Sequence, residues 1–179
     1  MFDQLIHADW SVSPRKRWAA TAVRQAGHWV VKAPALVGPA EAFLDRAFAA
    51  AARQRVLLGF DFPIGVPAAY GARTGLRSFR ELLPLLRAGF LPGQCKRRQA
   101  DRQEKAAAIS AWAEGHGVVF AAPAADALAA GFGSSASGED QFDALLGLLK
   151  MIEVAEGRRA EATERHDGTA AWEGWILGR

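Results

Sequence analysis

Cysteine is almost absent from this chain of 179 residues, since Cys95 is its only example. A single cysteine excludes an internal disulfide and a cysteine-based zinc cluster, and it suits a reducing compartment. Long apolar runs are also missing: stretches such as 47–52 and 117–122 fall far short of the roughly 20 residues that a membrane helix needs. The first residues, 1–4, have no basic region of the kind that opens a signal peptide. We therefore expect a soluble, cytoplasmic protein with no membrane partner.

Several catalytic signatures are missing as well. No Gly-x-Ser-x-Gly elbow surrounds the serines between 134 and 137, which argues against a serine hydrolase. No His-x-x-x-His pair is present, which argues against zinc catalysis. The Gly/Ser-rich stretch 131–138 lacks the Gly-Lys-Ser/Thr ending of a phosphate-binding loop, so its composition favours a linker.

The composition that is present is that of one globular domain spanning 1–179. Half of the residues are apolar and 23% are charged, and a chain of 19.2 kDa buries about two-thirds of its unfolded surface. The net charge of +3 is too small to indicate a nucleic-acid partner. Between Arg73 and Lys105, however, nine basic residues accompany only three acidic ones. Such a block is either a phosphate-facing surface or a solvated pair of helices.

Hydrophobic periodicity predicts an α/β protein with five strands. The first three, at 4–10, 15–24 and 28–32, are close enough in sequence to form a meander. Pro39 opens a predicted helix that ends near Arg53, and the continuous apolar run 55–61 predicts a central strand. The remaining pattern predicts helices at 78–88, 98–114, 123–133 and 139–157, with a short strand at 117–121.

Two aspartates stand at the ends of predicted strands. Asp9 ends the first strand and Asp61 ends the most apolar one. A carboxylate at the end of a buried strand must be hydrogen-bonded, neutralised or bound to a cation. If the two strands are parallel neighbours, a spacing of about 4.8 Å lets both carboxylates reach one hard cation such as Mg²⁺. The alternatives are a turn-capping role for Asp9 and an Asx-turn before Pro63 for Asp61.

A third pair of acids lies on the last predicted helix. Asp140 and Asp143 are three residues apart and share a face next to the apolar stripe. Acids in a first turn are favoured by the helix dipole, so Glu139 or Asp140 could act only as a cap. Asp143 lies deeper in the helix, where that explanation is weaker.

This order of strands, helices and aspartates resembles the ribonuclease H-like fold. The motifs that carry the resemblance are 7–11 (His-Ala-Asp-Trp-Ser), 59–67 (Gly-Phe-Asp-Phe-Pro-Ile-Gly-Val-Pro) and 139–144 (Glu-Asp-Gln-Phe-Asp-Ala). They are similar to those of predicted bacterial nucleases, and Asp143-Ala144 also resembles the last metal-binding element of Holliday-junction resolvases. The resemblance implies a five-stranded mixed sheet, a three-strand antiparallel meander followed by two strands, with helices on its faces.

The resemblance also implies a function. Asp9, Asp61 and Asp143 become catalytic metal ligands, assisted by Asp140 and by Glu41. Two Mg²⁺ or Mn²⁺ ions about 4 Å apart would then hydrolyse a phosphodiester bond, one activating water and the other stabilising the leaving oxygen. His116 could reach such a site. Nucleic acid or another phosphoester would lie against the basic block, whose predicted contact residues are Arg73, Arg77, Arg80, Lys96, Arg97 and Arg98.

Two other classes of function remain open at this point. One is a non-catalytic module that keeps the ribonuclease H-like fold and binds partners. The other is an actin-like nucleotide-binding protein, although such proteins usually need two copies of the fold. The Trp-rich segment 172–178 could dock on a second subunit to form a homodimer, although packing back on its own sheet is the favoured interpretation. The residues do not distinguish DNA, RNA and a small phosphoester as substrate.

Overall fold

One mixed β-sheet organises the protein in a computed structural model that describes residues 1–61 and 98–159. The described strands are β1 (Gln4–Asp9), β2 (Trp18–Gln25), β3 (His28–Val31), β4 (Ala35–Leu36), β5 (Val56–Asp61) and β6 (Val118–Phe120). Their order in the sheet is β5-β1-β2-β3-β6, and β4 pairs with the start of β2. The described helices are α1 (Ala40–Ala51), α2 (Gln99–Gly115), α3 (Ala122–Ala129) and α4 (Ser137–Ala155).

The first three strands form the predicted antiparallel meander. Ala26 and Gly27 connect β2 to β3, and both have positive φ angles, 48° and 85°, as a tight two-residue hairpin requires. The predicted start of the second strand, at residue 15, is wrong. Pro14–Lys16 form a 3-10 turn, for which the fixed φ of Pro14 is suited, and β2 therefore begins only at residue 18.

A short strand that the pattern did not predict makes six strands in the described residues instead of the expected five. In β4, Ala35 pairs with Ala19 and Leu36 pairs with Trp18. Two residues are too few to show a period-2 alternation, and Pro34 immediately before them argues against a strand. The strand exists because the chain leaving β3 passes the free edge of the first residues of β2.

Different helices cover the two faces of the sheet. On one face, Leu5 of β1 is buried in a cluster with Phe142 and Leu145 of α4. On the other face, Ile6 is buried in a cluster with Phe43 of α1. This alternation follows from the strand geometry, in which successive side chains point to opposite faces. Burying each of these side chains contributes about 1.5–3 kcal/mol, and β1 carries buried side chains on both of its faces.

The second half of the described chain adds the other edge of the sheet. β6 pairs in parallel with β3, at the edge opposite β5. The predicted helices at 98–114 and 139–157 are confirmed as α2 and α4, while the one predicted at 123–133 ends at Ala129. Gly131 and Phe132 both have φ of 58°, which a helix does not tolerate. The protein is therefore α/β, with a mixed sheet flanked by helices, and the ribonuclease H-like assignment stays a prediction.

Several predicted features lie outside the described residues: the helix at 78–88, Cys95 and the Trp-rich segment 172–178. Within 1–61 and 98–159, none of the helices combines the length and apolar character needed to cross a membrane.

Candidate functional site

Two of the predicted ligands meet where β1 and β5 end. The strands are parallel neighbours, and Asp9 and Asp61 are direct register partners at the last position of each. The two carboxylates can reach one cation only in this arrangement, in which neighbouring strands lie about 4.8 Å apart. The register is fixed at the opposite end, where the Asp3 carboxylate accepts a hydrogen bond from the Arg55 backbone N–H at 2.9 Å. Asp9 is half-buried and Asp61 is exposed.

The direction of α4 brings the third predicted ligand to the same end. Glu156, just after this helix, forms an ion pair with Arg24 and accepts a hydrogen bond from Trp29 Nε1 at 2.9 Å. The Arg24 backbone N–H in turn donates to the Asp3 carbonyl at 2.9 Å, beside the start of β1. The C-terminus of α4 therefore lies at the start of β1, and α4 runs antiparallel to that strand.

Distances along α4 and β1 agree with the antiparallel direction of the helix. Gly147 of α4 lies directly against the ring of His7 in β1. Asp143 is one helical turn, about 6 Å, before Gly147, and Asp9 is about 6.6 Å beyond His7 along the strand. Asp143 therefore lies near the level of the Asp9–Asp61 pair, on the face that α4 covers.

His7 is the residue of this region that sequence reasoning missed. Its side chain is buried between β1 and α4, and the residue is only 8% exposed. Burial lowers the pKa of its imidazole, while the Asp61 carboxylate, a hydrogen bond to the Ala144 carbonyl and the Asp143 carboxylate act in the opposite direction. Its Nδ1 is buried and has no hydrogen-bond partner among the described residues. A lone histidine in an apolar strand gives no sequence signal for this position.

The lowered pKa of His7 predicts a loss of stability in mild acid. Below its ordinary value of 6.5, the unfolded chain binds a proton that the folded chain excludes. The free energy of unfolding should therefore fall as the pH drops, by at most about 1.4 kcal/mol per pH unit for this one group. Urea titrations in EDTA between about pH 8 and pH 5.5 measure the slope in a range where histidine titrates.

Two variants separate this effect from other titrations. His7→Gln should flatten the pH dependence, because glutamine has no proton to bind in this range. His28→Gln, at an exposed position, is the matched control for the loss of a histidine side chain. An equal slope in wild type and His7→Gln contradicts the assignment to His7.

A buried arginine holds the chain just before α4. Arg102 of α2 is 1% exposed, and its guanidinium donates to the Gly131 carbonyl at 2.8 Å and to the Gly133 carbonyl at 2.7 Å. These two hydrogen bonds therefore hold the first residues of the Gly/Ser-rich stretch 131–138 in place. Gly138 at the start of α4 also packs against the same guanidinium. Arg102 thus holds the N-terminal end of α4, the helix that carries Asp143.

The other predicted site residues lie in different places. Asp140 is half-buried in the first turn of α4, one turn before Asp143. Glu41 is exposed in the first turn of α1, the helix on the opposite face of the sheet. His116 follows α2, where it stacks on Trp112 with ring centroids 4.4 Å apart. It precedes β6 beside the start of β3, at the end of the sheet away from Asp61, so the expectation that it could reach the site is wrong.

The predicted nucleic-acid contacts lie mostly outside the described residues. Arg73, Arg77, Arg80, Lys96 and Arg97 all belong to the interval 62–97. Arg98 is described: it is exposed and immediately precedes α2. The role of all six residues stays a prediction.

The donor side chains among the described residues show which kind of metal site is possible. Across residues 1–61 and 98–159, no group of three or more His, Cys, Asp or Glu side chains lies close enough to hold a metal ion. The donor set therefore fits one hard cation held by the pair Asp9 and Asp61, since Mg²⁺ is often bound by one or two carboxylates with water and phosphate oxygens as its other ligands. A complete two-metal cluster does not follow from the described side chains.

Comparison with known proteins adds no assignment to this geometry. No family model matches the chain, and no curated protein or solved structure is significantly similar to it.

Proposed function

We propose that this protein is a hydrolase of phosphodiester bonds that depends on Mg²⁺ or Mn²⁺, with nucleic acid as the expected substrate class. The observation that carries the proposal is the register pairing of Asp9 with Asp61 at the carboxyl ends of two parallel strands. The antiparallel α4, which directs Asp143 toward the same end, supports it. Hard divalent cations prefer carboxylate and water oxygens, and a paired set of strand-end carboxylates supplies them.

Each residue has a distinct part in this proposal. Asp9 and Asp61 hold the cation, which when bound supplies a lowered water pKa and polarisation of a phosphoryl oxygen. Asp143 adds negative charge on the face that α4 covers, and Asp140 assists from one turn earlier. Glu41, in the first turn of α1, would need to approach the cation from the opposite face of the sheet. Arg98 and the basic residues between 73 and 97 would contact the phosphates of the substrate.

Cation binding is the first prediction to test. Isothermal titration of Mg²⁺ and of Mn²⁺ into the metal-free protein should show sub-millimolar binding. Asp61→Asn should weaken it at least tenfold, because one of two anionic ligands is lost, and tenfold corresponds to about 1.4 kcal/mol. Asp126→Asn, an exposed acid on α3, is the matched control and should bind as wild type does.

The same variants test hydrolysis. With a bis-nitrophenyl phosphodiester and labelled DNA and RNA strands as substrates, Asp61→Asn should lose about 10²–10⁴-fold in rate, the equivalent of several kcal/mol of Lewis-acid assistance. Its free energy of unfolding in EDTA should stay unchanged or rise, because removing one of two neighbouring negative charges relieves repulsion. An unfolded Asp61→Asn protein would show that Asp61 is structural and that the site is wrong.

A non-catalytic binding module is the second candidate function. It is favoured by the lack of a three-ligand group in the described part of the chain. This candidate predicts no cation binding in wild type or Asp61→Asn, and no hydrolysis of any of the three substrates. Binding of labelled nucleic acid in EDTA, without cleavage when Mn²⁺ is added, would then assign the chain to this class.

A further inference from the structure

An apolar groove lies between α2 and α4. Its floor is formed by Ile109, Trp112, Phe142, Leu146 and Leu149, and it has a volume of about 420 Å³. A groove of this size and composition can receive several large apolar side chains. It is separate from the Asp9–Asp61 pair, so an inference about it does not depend on the proposed function.

The rim of the groove is charged and partly prearranged. Lys105 of α2 and Lys150 of α4 line it and are exposed. Glu153 also lines the groove, but its carboxylate accepts a hydrogen bond from Trp112 Nε1 at 3.3 Å and lies 3.5 Å from an Arg159 guanidinium nitrogen. The negative charge of Glu153 is therefore matched by Arg159, and the two lysines leave the rim positive.

The chain itself supplies a segment of matching composition at this place. Arg159 lines the groove and is the last described residue before the C-terminal segment 160–179. This segment carries an apolar strip at 172–177 (Trp-Glu-Gly-Trp-Ile-Leu), and its four acidic residues outnumber its two arginines. Trp172, Trp175 and Ile176 have the i, i+3, i+4 spacing of one helical face. Apolar side chains fit the floor, and the net negative charge fits the lysine rim.

The length of the segment and its attachment at Arg159 favour it as the occupant of the groove over a separate molecule. Twelve residues separate Arg159 from Trp172, and an extended chain spans about 3.4 Å per residue, so the strip can reach any part of the groove. A tethered segment is present at an effective concentration of the order of millimolar. A second copy of the chain at micromolar concentration would compete poorly with it. We infer that the segment 160–179 docks its Trp-rich strip into the α2–α4 groove of its own chain.

Photocrosslinking in the full chain tests this inference. Benzoylphenylalanine replaces Lys105 in one variant and Lys150 in a second, since both side chains are exposed and their loss leaves the floor intact. Illumination followed by peptide mass spectrometry should yield intrachain crosslinks to residues 172–177. The yield should exceed that from benzoylphenylalanine at Val119, an exposed position on β6, by more than about tenfold, as expected for a segment held at millimolar effective concentration.

A companion variant distinguishes docking from mere proximity. Trp172→Ser combined with Trp175→Ser should reduce the crosslinks from both rim positions by about tenfold, because the apolar anchors are lost. Three results would overturn the inference. They are crosslinks confined to residues adjacent to Arg159, crosslinks to another part of the chain, and crosslinks to 172–177 found only in a covalent dimer. The last would assign the groove to a second copy.

Discussion

Replacing Arg102 with methionine is expected to lower the free energy of unfolding by roughly 3 kcal/mol, because each hydrogen bond to a buried charged group contributes about 1.5–3 kcal/mol. The guanidinium holds the Gly131 and Gly133 carbonyls, and methionine keeps much of its volume but offers no donor. Those carbonyls would lose their partner in a site that is almost closed to water. Urea denaturation followed by far-UV circular dichroism measures the change.

Arg98→Met is the matched control for this prediction. Arg98 precedes the same helix, α2, but its side chain is exposed, so the same substitution should change the free energy of unfolding by less than about 0.5 kcal/mol. The comparison removes any general effect of losing a positive charge near the start of α2. Equal stability of the two variants would show that Arg102 contributes little and that the loop before α4 is held by other contacts.

Arg102→Met also tests the candidate site. Arg102 packs against Gly138 at the start of α4, and Asp143 lies five residues further along that helix. If Asp143 contributes to cation affinity, Arg102→Met should weaken Mn²⁺ binding as well as stability, while Arg98→Met should weaken neither. The titration that tests Asp61→Asn measures this directly.

The sequence predicted well the elements whose signals are local. β5 was recognisable because Val56–Phe60 form an unbroken apolar run, and α4 because its apolar residues recur at helical spacing. Asp61 is predictable as a site residue for the same reason, since a carboxylate ending such a run needs a partner. The hairpin of β2 and β3 is also local, set by Ala26-Gly27.

The contacts between distant elements were not readable in the same way. That Asp9 and Asp61 share one register position depends on how β1 pairs with β5, and the sequence supported this only as a condition. β4 is too short for a pattern. The burial of Arg102 depends on Gly131 and Gly133, about 30 residues away, where only the folded backbone shows that carbonyls face it. A charged residue in a basic stretch otherwise predicts a solvated face.

His7 shows the same limit at the site itself. In the sequence it is one polar residue in the strand that carries Asp9. In the structure its ring is buried where α4 crosses β1, and two glycines make this crossing possible. A Cβ at Gly59 would lie 2.7 Å from Met151 Sδ, and a Cβ at Gly147 would overlap the His7 ring itself. The pairing of a histidine with a helical glycine 140 residues later has no sequence signature.

The close contact of Gly147 with His7, where α4 crosses β1, gives the second large expected effect on stability. Gly147→Ala is expected to lower the free energy of unfolding by about 1–3 kcal/mol, the usual cost of overpacking a core. An ordinary helical glycine gains stability of up to about 1 kcal/mol on the same change, so the sign is diagnostic. The reason is that the new methyl group and the His7 ring would occupy the same space. Urea denaturation measures the loss.

A double-mutant cycle assigns this loss to the one contact. His7→Ala empties the space that the Gly147→Ala methyl group needs, so the double variant should be more stable than the sum of the single changes predicts, by about 1–3 kcal/mol of coupling. Gly115→Ala, at the last residue of α2, is the control and should be neutral or stabilising, because no described residue outside its own helix lies within 4 Å of its Cβ position. Purely additive changes would place the His7 ring elsewhere. Because α4 carries Asp143 past the Asp9–Asp61 pair, the same cycle also tests the distance between the helix and the strand on which the candidate site depends.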